Sequence, residues 1–520
     1  MQQPAVFFDH KYILLFVAII ANFFFQTYSL EFIPVNDGIG YDGVHYADFV
    51  VRIDEIVRNG ELSNYYAQKI LPSLIVRNAF RLFHIEASDA NIVQAFIYLN
   101  ISFMLGAALF WCRIAGLLNL NTAAFVIGSV GLFLSVPNAK MMYYLPVLTD
   151  SVAFFIGCGM VYASIRRSYV LLTVLSVVGY FAWQLSGLVG LALALSFLLV
   201  PQQERPGLSA ERLMVFAKSL IQPGFIVMTV AAFAVLASIA FLSLFPSGDA
   251  YGRIMNRFRL LTNLPMLVLW LMAILYLLYA IYLEKFSVDL RPASLAVAVA
   301  ACLIIIFLPI SIRSLIANPE LPAPGLDSIS STINAALRGR VPVGKLLLPL
   351  VSHTIWFGPV FLLLVFKWKS TVETCQKLGG PFVMALLIFV GFSIFAESRF
   401  NTLVWPFVVV AISVSVPGWN FTSRTVSSLC ILSFVYSRLW LRFNMDSWPD
   451  PYPYSYVQGW SVSNFVSLLG PWMTWPFYLF QSVIVALSAI WIWKMFNPKS
   501  DAIGCPAGST QDNSLPAIST

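Results

Sequence analysis

The run Tyr12 to Leu30, YILLFVAIIANFFFQTYSL, carries no charged residue and decides the architecture. At about 1.5 Å per residue, one helix of roughly this length crosses the 30 Å hydrocarbon core of a bilayer. The run is followed by Glu31-Phe32-Ile33-Pro34 rather than by the small-x-small site that ends a secretory leader, so it reads as a retained first helix. The rest of the chain has the same character. Of its 520 residues, 59% are hydrophobic and only 11% charged, against roughly 25% charged in soluble domains. The mean hydropathy is +0.81. Aromatic residues make up 15%, a share that suits lipid-facing helices with aromatic belts at both interfaces. This composition predicts an all-α polytopic membrane protein and excludes a nucleic-acid enzyme or a secreted disulfide scaffold.

The net charge of +7 follows from 31 basic and 24 acidic residues. Lys and Arg at the cytoplasmic ends of membrane helices account for such an excess, so no nucleic-acid partner is implied. The six cysteines contain no CxxC pair, and neither a disulfide framework nor a zinc site is legible.

Uncharged runs separated by charge or by Pro/Gly clusters predict about fourteen crossings. They centre on 12–30, 91–112, 121–138, 145–164, 168–183, 185–200, 220–245, 262–283, 292–312, 347–366, 380–396, 401–418, 424–442 and 471–495. The pair 168–183 and 185–200 is short enough to read alternatively as one bent helix. Residues 1–500 form a single membrane domain, and the polar stretch 501–520 is a disordered cytoplasmic tail. With the N-terminus in the cytoplasm, alternate loops collect Arg113, Arg166, Arg167, Arg205, Arg212, Lys218, Lys285, Arg291, Lys367, Lys369, Arg424, Lys494 and Lys499. That is the positive-inside pattern, and it places both termini in the cytoplasm.

Four outer loops then stand out: 31–90, 139–150, 246–261 and 313–346. In the first, Tyr46–Gly60 (YADFVVRIDEIVRNG) places Phe49, Ile53, Ile56 and Val57 on one helical face, with Asp48, Arg52, Glu55 and Arg58 opposite. Ile70–Leu82 (ILPSLIVRNAFRL) shows a rougher version. Both are too short to span, so they are predicted to be interfacial helices. Presumed helix centres are almost free of ionisable residues, unlike those of pumps and transporters, and no internal repeat is visible. Charge gathers instead at the outer rim, at Asp37, Asp42, Asp150, Arg253, Arg257, Arg259, Glu397 and Arg399.

Directly after the first helix the chain reads Asn36-Asp37-Gly38-Ile39-Gly40-Tyr41-Asp42-Gly43-Val44-His45-Tyr46-Ala47. This resembles the YDGxxYxxA signature of polytopic GT-C glycosyltransferases, whose first outer loop carries an aspartate. Tyr66-Ala67-Gln68-Lys69-Ile70-Leu71-Pro72-Ser73-Leu74 is similar to the YRxxRxLxPxL stretch of bacterial members. Pro146-Val147-Leu148-Thr149-Asp150-Ser151 is similar to the family's second acidic site. The resemblance covers the first 200 residues by motif and the remainder by topology. It departs at Trp183-Gln184-Leu185-Ser186, where many relatives carry an Arg-Glu pair.

The resemblance implies a GT-C-like bundle in the bacterial inner membrane, with its active site facing the periplasm or exterior. The implied donor is a polyprenyl-phosphate sugar, the acceptor a glycan or glycolipid hydroxyl that attacks with inversion, and the surroundings membrane lipid. It makes Asp42 the general base, with Asp37 the competing choice. Asp150 orients the acceptor or joins Asp42 on Mg²⁺ or Mn²⁺; an acid favoured by the helix dipole fits the same position. Arg253, Arg257, Arg259 and Arg399 are the phosphate-binding candidates, since a guanidinium matches two oxygens and stays charged. The cluster at 253–259 equally fits an interfacial helix snorkelling to phospholipid. Glu397-Ser398-Arg399-Phe400 before Pro406 resembles a family element at the outer end of a late helix. His45, three residues after Asp42, and His353 are further site candidates, each also readable as a packed histidine. The rival readings are a flippase or transporter for lipid-linked sugars and an O-antigen-type polymerase or ligase.

Overall fold

The computed structural model describes residues 10–29, 32–33, 35–40, 42–201, 272, 274, 286–288, 291–321, 345, 347–393, 397–419, 422–441, 473 and 475–496. Among these residues the regular structure is helical, except for a short antiparallel ladder of β1 (Leu199–Pro201) and β2 (Phe286–Val288). The helices run α1 (His10–Ser29), α2 (Gly43–Arg58), α3 (Asn64–Ala67), α4 (Leu71–Phe83), α5 (Asp89–Leu117), α6 (Thr122–Phe133), α7 (Met142–Tyr144), α8 (Asp150–Ile165), α9 (Tyr169–Tyr180) and α10 (Leu185–Ser196). They continue with α11 (Pro292–Ile316), α12 (Leu348–Phe357), α13 (Val360–Phe366), α14 (Trp368–Leu378), α15 (Gly380–Phe392), α16 (Trp405–Ser415), α17 (Ser423–Ser437) and α18 (Trp475–Phe496).

Four described stretches are long and apolar enough to cross a membrane: His10–Tyr28, Asp89–Leu117, Pro292–Ile316 and Phe477–Met495. Thr122–Phe133 and Pro137–Tyr144, bent by 59°, make a fifth if taken as one span. About fourteen full crossings are therefore not confirmed among the described residues, which also include several shorter apolar helices such as Asp150–Ile165 and Trp405–Trp419. Several apolar runs break earlier than their charge pattern implies. The run 347–366 divides at Gly358, whose φ of 79° is left-handed and suits glycine alone. The runs 168–183 and 185–200 are not one bent helix. Gly179 lies against Ser186 and Gly190 against Ser176, contacts of an antiparallel helical hairpin. The sequence reading also passed over α14, which buries Thr371, Val372 and Cys375 and turns Lys369 and Glu373 outward. Nearly all of 262–283, and all of 220–245 with Arg253, Arg257 and Arg259, lie outside the described residues, as do 322–344, 442–472 and 497–520.

The two amphipathic helices form where the periodicity places them. Phe49, Ile53 and Ile56 of α2 are buried while Arg52, Glu55 and Arg58 are exposed. Helix α4 packs on α2 through Ser73, whose hydroxyl donates to the Tyr46 carbonyl at 2.9 Å. Arg77 donates to the Val51 carbonyl at 3.0 Å and pairs with Asp54 at 2.6 Å. The first loop also meets the end of α11, where the Asn318 N–H donates to the Leu62 carbonyl at 2.7 Å.

Lys11, Arg113, Arg166, Arg167, Lys367, Lys369 and Arg424 all fall at the helix ends remote from these loops. At the loop end, two contacts join the segment after α1 to the segment before α8, and a third ties the latter to α5. The Ile33 N–H donates to the Tyr144 carbonyl at 2.9 Å. Gly43 packs so closely on Val147 that a Cβ would stand 3.1 Å from its carbonyl oxygen. Buried Asn100 of α5 donates to the Met142 and Pro146 carbonyls, each at 2.9 Å, and accepts from the Ser151 hydroxyl. Asn100→Leu removes all three partners at once, and each buried polar group left unpaired costs about 1–3 kcal/mol. The variant is expected to lose roughly 3 kcal/mol of stability, allowing for partial relaxation. Unfolding in detergent checks this, and a wild-type transition would show that the loop does not depend on this clamp.

Candidate active site

The segment before α2 is a tight coil. Asn36 and Asp37 adopt left-handed backbone, with φ of 50° and 51°, and the Asn36 amide donates to the Gly40 carbonyl at 2.9 Å. Gly40 has φ +80°, and a Cβ there would meet the Leu145 side chain at 2.2 Å. The coil delivers Asp42 to the N-terminus of α2, where its carboxylate caps no backbone N–H and stays half-buried. Gly43, seated on Val147, brings this corner against the second loop. Asp150 opens α8 from that loop, with Oδ1 shielded from solvent and lacking a hydrogen bond among the described residues.

Two fixed cations complete the cluster. Lys69, between α3 and α4, is only 6% exposed, and its ammonium donates to the Tyr65 hydroxyl. Arg399 lies in the short turn Ser398–Asn401 ahead of α16 and forms an ion pair with Glu397 at 2.7 Å. The Arg399 side chain is 26% exposed and that of Glu397 4%. Asp42 and Asp150 both lie within electrostatic reach of Lys69 and of Arg399. Burial lowers the Lys69 ammonium to about 8, helped by Arg399 and opposed by Asp42, Asp150 and Glu397. Burial also works against charge on Arg399, but Glu397, Asp150 and Asp42 outweigh it and hold the guanidinium above its usual range.

Tyrosines line the same corner. Burial, followed by the Asp42 charge, raises the Tyr66 phenol to about 12. The same two causes raise Tyr46 well above the ordinary range. His45, exposed on α2, stacks obliquely on Tyr66 with ring centroids 4.3 Å apart.

The structure thus brings together Asp42, Asp150, Glu397 and Arg399, with His45 at the margin. It leaves Asp37 exposed on the coil. His353 is fully enclosed in α12 and reaches the cluster only through the turn that carries Arg399. Arg253, Arg257 and Arg259 lie outside the described residues. Lys69 carries little signal in the sequence: it is a cation immediately before the apolar, Pro-containing start of α4. Trp183 and Ser186, in the stretch that departs from the GT-C pattern, are buried at the α9–α10 turn. There the Phe181 carbonyl accepts from the Leu71 N–H at 2.9 Å.

Chemically, the cluster pairs an uncapped carboxylate with two cations suited to an oxyanion. Among the described residues no three His, Cys, Asp or Glu converge as metal ligands. Two carboxylates, Asp42 and Asp150, are the protein donors that Mg²⁺ or Mn²⁺ would take together with a substrate phosphate and waters, and the neighbouring ammonium and guanidinium can equally meet a phosphate directly. No protein-family model, curated protein or solved structure matches this chain.

Proposed function

We propose that the chain is a membrane glycosyltransferase that moves a sugar from a polyprenyl-phosphate donor to a hydroxyl of a lipid-linked or cell-surface glycan, with inversion. One observation carries this reading. Asp42 and Asp150, from separate loops, lie within reach of the same two cations at one end of an apolar helical bundle. The acceptor hydroxyl gives its proton to the Asp42 carboxylate as its oxygen attacks the anomeric carbon. The bond from that carbon to the phosphate oxygen breaks, and its electrons leave on the polyprenyl phosphate. Arg399 and Lys69 meet the developing phosphate charge. Asp150 holds the acceptor, and the Tyr66–His45 pair gives a sugar ring a face to rest on.

Native mass spectrometry of the detergent-purified protein, alone and with added polyprenyl-phosphate hexoses, tests the donor class. A bound species at polyprenyl phosphate plus one sugar is the expected result. Retention of ordinary phospholipid only, with every added donor refused, would favour the transporter or polymerase readings.

Lys69 also makes the pH dependence specific. Its charge is full well below pH 8 and is lost as pH rises through about 8, because burial lowers its proton affinity. The kcat/KM for donor, which reports the free enzyme, is expected to fall above that pH. In Lys69→Arg the guanidinium stays charged and this alkaline limb is expected to vanish. An unchanged limb in Lys69→Arg would assign it to another group.

A further inference from the structure

We infer that His353 is a positioning residue for the Glu397–Arg399 turn, setting the site that Arg399 offers to the donor phosphate. The phosphate role rests on the glycosyltransferase reading. The positioning does not, since it follows from hydrogen-bond chemistry around a fully enclosed ring. Nε2 of His353 lies 2.9 Å from the Ser393 carbonyl oxygen. A carbonyl oxygen has only lone pairs to offer, so Nε2 must carry the proton. Nδ1 lies 2.8 Å from the Ser398 hydroxyl. Neither partner is an anion, and an imidazolium at zero exposure would be a buried charge without compensation. The ring is therefore neutral, and Nδ1 accepts the Ser398 proton.

The two partners stand on opposite sides of 394–396. Ser393 follows the last residue of α15, and Ser398 is the immediate neighbour of both Glu397 and Arg399. One rigid ring thus fixes the distance between the end of α15 and the start of the Arg399 turn. Two further contacts tighten the same point. The Asn401 amide donates to the Ser393 hydroxyl at 3.2 Å, and the Ser352 hydroxyl lies 3.1 Å from that of Ser398. Aromatic packing of the ring against Phe361, with centroids 5.6 Å apart, holds its plane.

The variants that separate positioning from mere packing are His353→Gln, His353→Phe and Ser398→Ala in the full-length protein. Gln keeps a donor for the Ser393 carbonyl and an acceptor for Ser398; Phe keeps the ring and loses both. Hydrogen exchange of peptides covering Glu397–Thr402 is the activity-independent readout. His353→Phe is expected to speed exchange there by about tenfold or more, with Ser398→Ala intermediate. His353→Gln is expected to stay within about threefold of wild type, and a peptide over Ser423–Ser437 is expected to be unchanged in all three. In the transfer assay, His353→Phe is expected to raise the donor KM more than it lowers kcat, with Gln restoring most of the loss.

Wild-type exchange at Glu397–Thr402 in both His353→Phe and Ser398→Ala would overturn the assignment. So would exchange that rises equally over Ser423–Ser437, which marks general loosening. If the local exchange pattern appears as expected but the wild-type protein neither binds nor turns over polyprenyl-phosphate sugars, the positioning role stands and the glycosyltransferase reading falls.

Discussion

Asp42→Asn is expected to keep the fold and lose sugar transfer, with kcat lower by about 10³. The fold survives because the Asp42 carboxylate caps no helix N–H and is only half-buried, so an amide of the same shape leaves no new orphan inside the protein. Transfer fails because an amide has no lone pair basic enough to take the acceptor proton. The comparison variant is Asp37→Asn, which changes a carboxylate only five residues away on the same coil. Asp37 is exposed and held in left-handed backbone that Asn adopts readily, so transfer is expected to stay within about twofold of wild type. Radiolabelled transfer from a polyprenyl-phosphate donor, with unfolding measured in parallel, separates the two. Wild-type turnover by Asp42→Asn would remove it as the base and pass the role to Asp37.

Arg399→Met is expected to fail in two ways at once. Glu397 is 4% exposed and pairs with Arg399 at 2.7 Å, so removing the guanidinium takes a close cationic partner from a buried carboxylate. Breaking such a pair from one side typically costs about 3–5 kcal/mol. Donor affinity is expected to fall as well, by roughly tenfold to a hundredfold, the loss of a charge-assisted contact worth about 1.5–3 kcal/mol. The paired variant Glu397→Gln with Arg399→Met tells these apart. Neutralising both partners is expected to restore much of the stability while donor binding remains weak. Recovery of donor binding along with stability would mean that Arg399 serves the turn and not the phosphate.

The acids and the late arginine were legible because they are marked by local pattern. Asp42 sits among glycines, Asp150 follows Pro146 at a helix start, and Arg399 shares a short motif with Glu397. What pattern cannot carry is convergence. Lys69 becomes interesting only when packing leaves it 6% exposed beside charges that come from residues 42, 150 and 397. His353 shows the reverse case. Its position reads both as a site residue and as a packed histidine, and the fold encloses it and gives it to Ser393 and Ser398. For the fold, the amphipathic helices were readable from their periodicity, which survives at any tilt. The number of crossings was not, because uncharged runs hide breaks such as the one at Gly358. Those breaks depend on backbone conformation and neighbours that hydropathy does not encode.

The order of the cluster along the chain has a consequence for synthesis. Asp42, Lys69 and Asp150 leave the ribosome early, whereas the Arg399 turn follows about 250 residues later, a delay of roughly 10–50 s at 5–20 residues per second. Throughout that interval the nascent protein holds two carboxylates against a single ammonium. A chain stopped before the Arg399 turn would carry every acidic group proposed for the chemistry and still lack the guanidinium that balances them. Arg399 is therefore the last of the cluster's charged residues to be added to the growing chain.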